Sequence, residues 1–437
     1  MRVPQPPPEP TPALLAEMFR LERFPRAPDI DGWYYHWDTF RHLPSEAGMT
    51  PELRWAGMQG GRRSLARELP LTDRDGKPFT VGFPDAAQRM LHDADLRLGG
   101  SIGSGERLPG QADRARYLVA SFAEEAISTS ILEGAATTRR AAKELLRTGR
   151  RPLNVAERMV VNAQRGLEIV AGWPDRQLRP QDVLELHRAL VEGTTNEADA
   201  GRVQRPGEKR VVVAATDGTV VHEPPPAAEL PARLERLCAF ANAGAEDKPF
   251  VHPVARAILL HFGLAYDHPF VDGNGRVARA LFSWSMLRSG YWMTEFVSIS
   301  RLLLAAPARY GRSFLYTETD SGDTTYFLLS QLAILRRATD DLHAYVERRQ
   351  LDVDAVERAI GPGSGLNHRQ RALLSHAVRH PASRYTFEGH SRAHDVVYQS
   401  GRTDLLDLEG RGFLQRDKVG RRFEFLPAPD LGTRLER

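Results

Sequence analysis

Hydrophobic residues recur at helical spacing through the middle of the chain. Leu118, Phe122 and Ala126 lie four residues apart, and a second series of this kind begins at Val254. Spacings of three and four residues place side chains on one face of an α-helix. The pattern therefore predicts a mainly α-helical domain over about residues 113–350.

One segment inside this domain departs from the helical pattern. Residues 209–215 are rich in valine, Asp217–Gly218 is typical of a two-residue hairpin turn, and residues 219–221 are again extended. Prolines at 224–226 end the second strand. The segment predicts a β-hairpin inserted into a helical domain.

The sequence before residue 113 has a different character. Residues 1–12 are rich in proline, which predicts a disordered tail. Residues 13–112 are assigned to a small N-terminal domain of unknown role, in which residues 72–76 predict a turn between two extended segments. We expect the aromatic cluster at 33–37 to pack in the core rather than to form a ligand site.

The sequence after the helical domain predicts a further folded unit. A glycine-rich stretch at 361–365 is typical of a flexible linker. Asn367 then caps a helix whose third position is Gln370, two more helical stretches follow, and residues 413–426 alternate as strand, turn and strand. This order resembles a winged helix, and we assign residues 366–430 to it.

Composition narrows the class of protein. The formal net charge of +3 over 437 residues is too small to indicate nucleic-acid binding by the whole chain. The single cysteine, Cys238, cannot form an internal disulfide and is expected to be a small core residue in a reducing compartment. The first residues lack the apolar stretch of a secretory signal, and no segment approaches a membrane span. We expect a cytoplasmic protein without membrane association.

Residues 268–279 read HPFVDGNGRVAR and combine several features of an anion site. Gly273, Asn274 and Gly275 tolerate left-handed backbone, so that their N–H groups can form an anion nest. A new helix begins at about Gly275 and adds free N–H groups. Arg276 and Arg279 lie on one face of its first turn, where cations are disfavoured unless an anion is bound.

Two further residue types fit a triphosphate at this place. Asp272 can hold Mg²⁺, which favours one or two carboxylates together with phosphate oxygens. His268 lies at the mouth of the loop and is expected to titrate near neutrality, as a general base should. The alternative is a polar loop between two helices, and we favour the phosphate site because all these groups fall within twelve residues.

The string matches, without a gap, the HxFx(D/E)GNGRxxR motif of the Fic family. The resemblance extends over about residues 113–340 and includes the hairpin, the proline run and the segment 321–323. It implies a mainly α fold, with a Fic-type helical core that carries a β-hairpin flap. The N-terminal domain and the winged helix would flank this core.

The resemblance also implies a role for each motif residue. His268 would deprotonate a hydroxyl of a target protein, which then attacks the α-phosphate of ATP with loss of pyrophosphate. Asp272 would bind Mg²⁺, the segment Gly273–Gly275 would cradle phosphate, and Arg276 and Arg279 would contact the β- and γ-phosphates. The motif phenylalanine would be a packing residue.

Other positions resemble the family less closely. Val211, Val212 and Val213 lie in the hairpin, which looks like the flap that adds a target segment as a strand; they can equally be plain strand residues. Tyr310 resembles a tyrosine that contacts adenine. The Asn-Arg pair that usually precedes this tyrosine is absent, since residues 305–307 read Ala-Ala-Pro.

Residues 129–134, TSILEG, match the inhibitory motif (S/T)xxxE(G/N) found upstream in many Fic proteins. Gly134 is a suitable residue to follow a helix end, which places Glu133 in the last turn, where a carboxylate is disfavoured. Arg279 is disfavoured at its own helix start. We therefore hypothesise that Glu133 binds Arg279 and displaces the γ-phosphate, with Thr129 supporting the same face one turn earlier.

The sequence thus predicts transfer of AMP from ATP, with Mg²⁺, to a Ser, Thr or Tyr hydroxyl of a target protein and of the protein itself. One alternative is a DNA-binding regulator that uses the Fic pocket as a nucleotide sensor. Another is a Fic enzyme that removes AMP or uses another nucleotide, with Glu133 assisting hydrolysis. The sequence leaves a homo-oligomer open.

The DNA alternative depends on basic residues of the presumed winged helix. Arg402 lies in the expected recognition helix, and the expected wing carries Arg416, Lys418, Arg421 and Arg422. These side chains can contact phosphates, or form a solvated or protein-binding surface. The acidic residues Asp404, Asp407 and Glu409 weaken the DNA interpretation.

Overall fold

The computed structural model describes residues 2–20, 27–45, 49–99, 111–173, 175–214, 218, 220–244, 246–359, 364–380, 383–419, 422–431 and 434. The chain divides into two units. The first comprises Met1–Ser101 and Ala120–Thr339, and the second comprises Ile102–Val119 and Asp340–Arg437.

Helices dominate the described residues, which confirms the mainly α prediction. In chain order they are α1 (Pro12–Arg20), α2 (Trp37–Phe40), α3 (Pro51–Leu65), α4 (Asp85–Ala94), α5 (Gln111–Leu132), α6 (Arg139–Thr148), α7 (Val155–Ala171), α8 (Pro180–Val191), α9 (Leu230–Asn242), α10 (Pro253–Asp267), α11 (Asn274–Arg288), α12 (Ile299–Ala305), α13 (Pro307–Thr319), α14 (Thr325–Ala359), α15 (His368–Arg379), α16 (Phe387–Ala393) and α17 (Tyr398–Gly410). Shorter helical turns cover Asp95–Gly99, Glu197–Asp199, Ala227–Glu229 and Trp292–Phe296.

In the described part of the chain, the strands form three separate two-stranded antiparallel pairs. They are β1 (Arg67–Thr72) with β2 (Pro78–Val81), β3 (Val213–Ala214) with β4 (Val220–His222), and β5 (Leu414–Val419) with β6 (Arg422–Pro427). The first pair confirms the predicted turn at 72–76 between two extended segments. Its second strand also forms a parallel bridge from Thr80 to Asp323.

The helices α10 and α11 form the centre of the first unit. α10 begins at Pro253, after His252 caps the Val254 N–H, and its residues are buried on nearly every side. A helix that is apolar all round belongs in the interior of a protein. α11 packs along α10 and also contacts α7. Cys238 is 3% exposed in α9, which confirms its expected place in the core.

The aromatic cluster of the N-terminal region is core only in part. Trp37 packs with Phe40, Trp55 and Met58. The expectation is wrong for Trp33, which is 64% exposed. The physical reason is local, because a tight turn with positive φ at residues 31 and 32 directs this ring outward.

The inserted hairpin is shorter than predicted. Val213 pairs with His222 and Ala214 with Val220, so that the first strand begins four residues after the start of the valine-rich stretch. Of the predicted turn, Asp217 lies outside the described residues. Val212 and Val213 are 36% and 39% exposed, and Val211 is half-buried.

The second unit contains α15, α16, α17 and the β5–β6 pair in the order that the sequence predicts. Its core includes Leu373, Leu374, Leu405 and Phe425. The winged-helix assignment stays a prediction. Within the described residues, no helix has both the length and the apolar character needed to cross a membrane.

Candidate active site

The loop between α10 and α11 is set by two residues with left-handed backbone. His268 ends α10 with φ 45°, and Gly273 precedes α11 with φ 84°. α11 begins at Asn274, one residue before the predicted start. The loop 268–273 is therefore a tight reversal that leads directly into the free N–H groups of a helix N-terminus.

Two buried side chains hold the loop in this shape. Asn274 Oδ1 accepts the Phe270 N–H at 2.9 Å, and its Nδ2 donates to the Phe270 carbonyl at 2.9 Å. These bonds hold the side-chain amide against the loop, and the Asn274 backbone N–H lies at the start of α11. Phe270 is fully buried and stacks on the His187 ring at 3.8 Å, which confirms that it is a packing residue.

The first motif arginine is buried and paired within the loop. Arg276 is 1% exposed, donates from Nη1 to the Leu190 carbonyl at 2.8 Å, and donates from Nη2 to Asp272 Oδ2 at 2.5 Å. The Asp272 side chain is 43% exposed. The structure thus pairs the predicted metal ligand with a predicted phosphate ligand.

The second motif arginine reaches the end of α5. Arg279 is 2% exposed, donates from Nε to Thr129 Oγ1 at 2.7 Å, and donates from Nη2 to Glu133 Oε1 at 2.8 Å. α5 ends at Leu132, and Glu133 follows it directly rather than lying in its last turn, with its N–H bonded to the Thr129 carbonyl at 3.2 Å. Gly134 comes next with φ 90°. A Cβ at Gly275 would overlap the Glu133 carboxylate, so only glycine allows this approach.

The ring of His268 is half-buried beside the loop. Burial lowers the pKa of His268 to about 4; the nearby His222 and Arg210 act in the same direction, while Glu133 and Asp272 oppose them. The expectation that His268 titrates near neutrality is wrong, because sequence spacing carries no information about burial. A neutral imidazole at pH 7 can still accept a proton.

Tyr310 lies on α13 and its hydroxyl points towards α10. The hydroxyl is 2.8 Å from His261 Nε2, and burial raises the pKa of Tyr310 to about 12, against the lowering effect of the neighbouring Arg279. The side chain therefore belongs to the polar network around Arg279. Its contact with a base stays a prediction.

Sequence reasoning missed the contacts of three histidines around the site. His187 accepts the Gly201 N–H at Nδ1 and lies 3.0 Å from the Asp272 carbonyl through Nε2. His222 lies between Glu318 and the Tyr266 carbonyl, and His261 is fully buried. The sequence offered one indication of these histidines, because each is a polar residue at a position where the pattern of its helix or strand is apolar.

Residues 177–286, which include the loop and most of α11, match the family model described as the Fic/DOC family. This part of the chain is therefore a Fic/DOC family domain. Thr129 and Glu133 lie outside the matched range.

Among curated relatives, the "Protein adenylyltransferase Fic" proteins of Drosophila virilis and Drosophila melanogaster are each 35% identical to this chain over 111 residues. The match covers 25% of this chain and 20% of each relative, so the chain spans about a fifth of the length of the curated relatives it matches. A solved Fic family protein from Desulfovibrio desulfuricans G20 superposes with a TM-score of 0.50 at 19% identity, over 78% of this chain and 96% of that chain. At this identity the likeness shows the fold alone.

Proposed function

We propose that this protein transfers AMP from ATP to a Ser, Thr or Tyr hydroxyl of a protein, itself included. One observation carries the proposal: a neutral imidazole, two buried guanidiniums and a free helix N-terminus meet at the loop 268–273. Attack by a hydroxyl on a nucleoside triphosphate needs a base and a polyanion site in this relation. The adenylyltransferase names of the Drosophila relatives support the same reaction.

In the proposed reaction, the target oxygen attacks the α-phosphorus of ATP and the bond to pyrophosphate breaks. AMP stays on the target oxygen, and His268 takes the hydroxyl proton. The N-terminus of α11, together with Arg276 and Arg279, would stabilise the negative charge on the phosphate oxygens.

Asp272 is the residue that would hold Mg²⁺. Its side chain is 43% exposed, and only one of its oxygens receives a hydrogen bond from Arg276. No group of three or more acidic, histidine or cysteine side chains in the described part of the chain is placed to hold a metal ion. The donor set therefore suits a cation that arrives with the nucleotide and neutralises charge on its phosphate oxygens.

The flap would bind the target. Val213 is exposed on β3, whose one described partner is the short β4, and Val212 is exposed directly before this strand. An extended target segment can add to such an edge through main-chain hydrogen bonds. We therefore assign target binding to the segment Val211–Val213.

Glu133 would inhibit the enzyme. Its carboxylate occupies Nη2 of Arg279, while Thr129 occupies Nε. A terminal phosphate that uses the same guanidinium has to displace Glu133 and meets the charge of the carboxylate. The nucleotide would then bind without reaching a reactive pose.

DNA binding by the second unit has less support. Arg402 and Lys418 are exposed, but Arg416 pairs with Glu409 at 3.1 Å. Arg421 lies outside the described residues, as does the side chain of Arg422. Titration of labelled duplex DNA at low and high salt tests this candidate, because phosphate contacts weaken steeply with salt.

The decisive experiment is intact-mass spectrometry of Glu133→Gly incubated with Mg²⁺ and each nucleoside triphosphate in turn. We expect a mass gain of one AMP with ATP, and no gain when His268→Ala is added. A gain with another nucleotide alone would change the assigned donor. No gain with any nucleotide would contradict the proposal and favour the sensor.

Removal of AMP is distinguished by a second measurement. The modified Glu133→Gly protein is purified and incubated with catalytic amounts of wild-type protein. Loss of the added mass would show that Glu133 supports hydrolysis, whereas a stable mass is expected for a transferase.

A further inference from the structure

Arg210 lies three residues before the flap strand β3, but its side chain points to the end of α10. Its Nη2 donates to the Asp267 carbonyl at 2.7 Å and to the His268 carbonyl at 3.2 Å. Its Nε donates to the Pro225 carbonyl at 2.9 Å. One guanidinium thus connects the start of the flap, the segment after the flap and the backbone of His268.

Gln204 completes this arrangement. Its buried side chain accepts from Arg210 Nη1 and donates to the Lys209 carbonyl at 3.0 Å, while its backbone N–H donates to the Pro269 carbonyl at 2.9 Å. The carbonyls of residues 267, 268 and 269 therefore each receive a donor from the segment 204–210.

These carbonyls need donors for a physical reason. The last carbonyls of a helix have no partner within the helix, and a cation there meets the negative end of the helix dipole. The Asp267 carboxylate is paired with Arg233 at 3.1 Å, so the contacts of Arg210 at this point are with the backbone. His268 also has φ 45°, a conformation that a non-glycine residue keeps only when its surroundings hold it.

We propose that Arg210 is a positioning residue that fixes the backbone of His268 and ties it to both ends of the flap. The inference rests on the proposed function. The flap would carry the target hydroxyl, and His268 would take its proton. Arg210 keeps these two parts in one fixed relation, whereas Arg276 and Arg279 bind the nucleotide from α11.

The test uses the full chain in the Glu133→Gly background, with ATP and Mg²⁺ as reactants and self-modification followed by intact mass. The variants are Arg210→Met and Arg210→Lys. The matched control is Arg205→Met, which removes an exposed arginine from the same loop. Initial rate at saturating ATP, apparent KM for ATP and melting temperature are measured for each protein.

We expect Arg210→Met to lower the maximal rate by about tenfold or more, because small misplacements of reacting groups are costly. Apparent KM for ATP should stay within about twofold, because the nucleotide contacts lie elsewhere. Arg210→Lys keeps the charge but lacks the planar guanidinium, so its maximal rate should lie between those of the Glu133→Gly parent and Arg210→Met. Arg205→Met should match the parent. A purely structural role would instead change melting temperature and apparent KM together.

Three results would overturn the inference. If the Glu133→Gly parent modifies itself and Arg210→Met reaches the same maximal rate, the inference is refuted and the proposed function stays intact. If Arg210→Met does not fold, parental activity in Arg210→Lys refutes it. An unmodified parent refutes the proposed function and this inference with it.

Discussion

Replacing Glu133 tests the proposed inhibitory contact with Arg279 quantitatively. The carboxylate accepts one charge-assisted hydrogen bond, at 2.8 Å, from a guanidinium that is 2% exposed. Glu133→Gly removes this partner and its charge. Thr129 and the Tyr310 hydroxyl stay next to Arg279, so the guanidinium keeps its position.

The size of the effect follows from this contact. A hydrogen bond to a charged group contributes about 1.5–3 kcal/mol, and a terminal phosphate that binds Arg279 has to replace it. Relief of that cost strengthens productive ATP binding by about 10- to 150-fold. At ATP concentrations well below saturation, the self-modification rate should rise by the same factor. Without nucleotide, Glu133→Gly should be less stable than wild type, because the buried Arg279 guanidinium loses its counter-charge.

The assay follows intact mass over time at several ATP concentrations for wild type, Glu133→Gly and Glu133→Gln. Glu124→Gln is the control, since Glu124 lies on α5, the helix that leads to Glu133, but pairs with Arg139 and Lys143. Melting temperature is measured with and without ATP, and ATP should raise it more in Glu133→Gly than in wild type. Equal rates in wild type and Glu133→Gly, or a higher melting temperature of Glu133→Gly without ATP, would refute the reasoning.

Three further predictions follow from the same structure. Because burial lowers the pKa of His268 to about 4, the base is neutral above that pH, and the transfer rate of Glu133→Gly should stay level from pH 8 down to about 5.5; an acid limb near 6.5 would contradict this. Tyr310→Phe removes a hydroxyl beside buried Arg279 and should weaken ATP binding by about tenfold in calorimetry. Asp404→Ala removes the acceptor of a buried polar cluster in the second unit and should lower its unfolding free energy by about 3 kcal/mol, without changing the transfer rate.

Local features of the fold could be predicted from the sequence, and their extent could not. The turn at 72–76 and the helices α10 and α11 follow from short-range patterns, since turn residues and apolar spacing act within a few positions. The first flap strand begins later than predicted, because the valine content of a segment does not show where a partner strand is available. Trp33 was assigned to the core by composition, although one turn decides where its ring points.

The candidate site also has features that the sequence predicts and features that it does not. The loop 268–273 was predictable because its residues are consecutive, and the Glu133–Arg279 pair could be inferred from two unfavourable helix ends. The pairing of Asp272 with Arg276 was not foreseen, because each was assigned to an absent ligand. A buried guanidinium needs acceptors, and Arg276 finds them in the Leu190 carbonyl and the Asp272 carboxylate.

The two carboxylates at the site differ in what happens to them when a nucleotide binds. Asp272 and Glu133 each form an ion pair with one arginine. In the proposed complex, phosphate oxygens replace both carboxylates, and Asp272 gains the cation that accompanies the phosphates. Glu133 gains no cation and lies beside the additional negative charge of the phosphates. This asymmetry explains why displacement of Glu133, and not of Asp272, would oppose productive binding, and why an inhibitory carboxylate would lie outside the loop that binds the nucleotide.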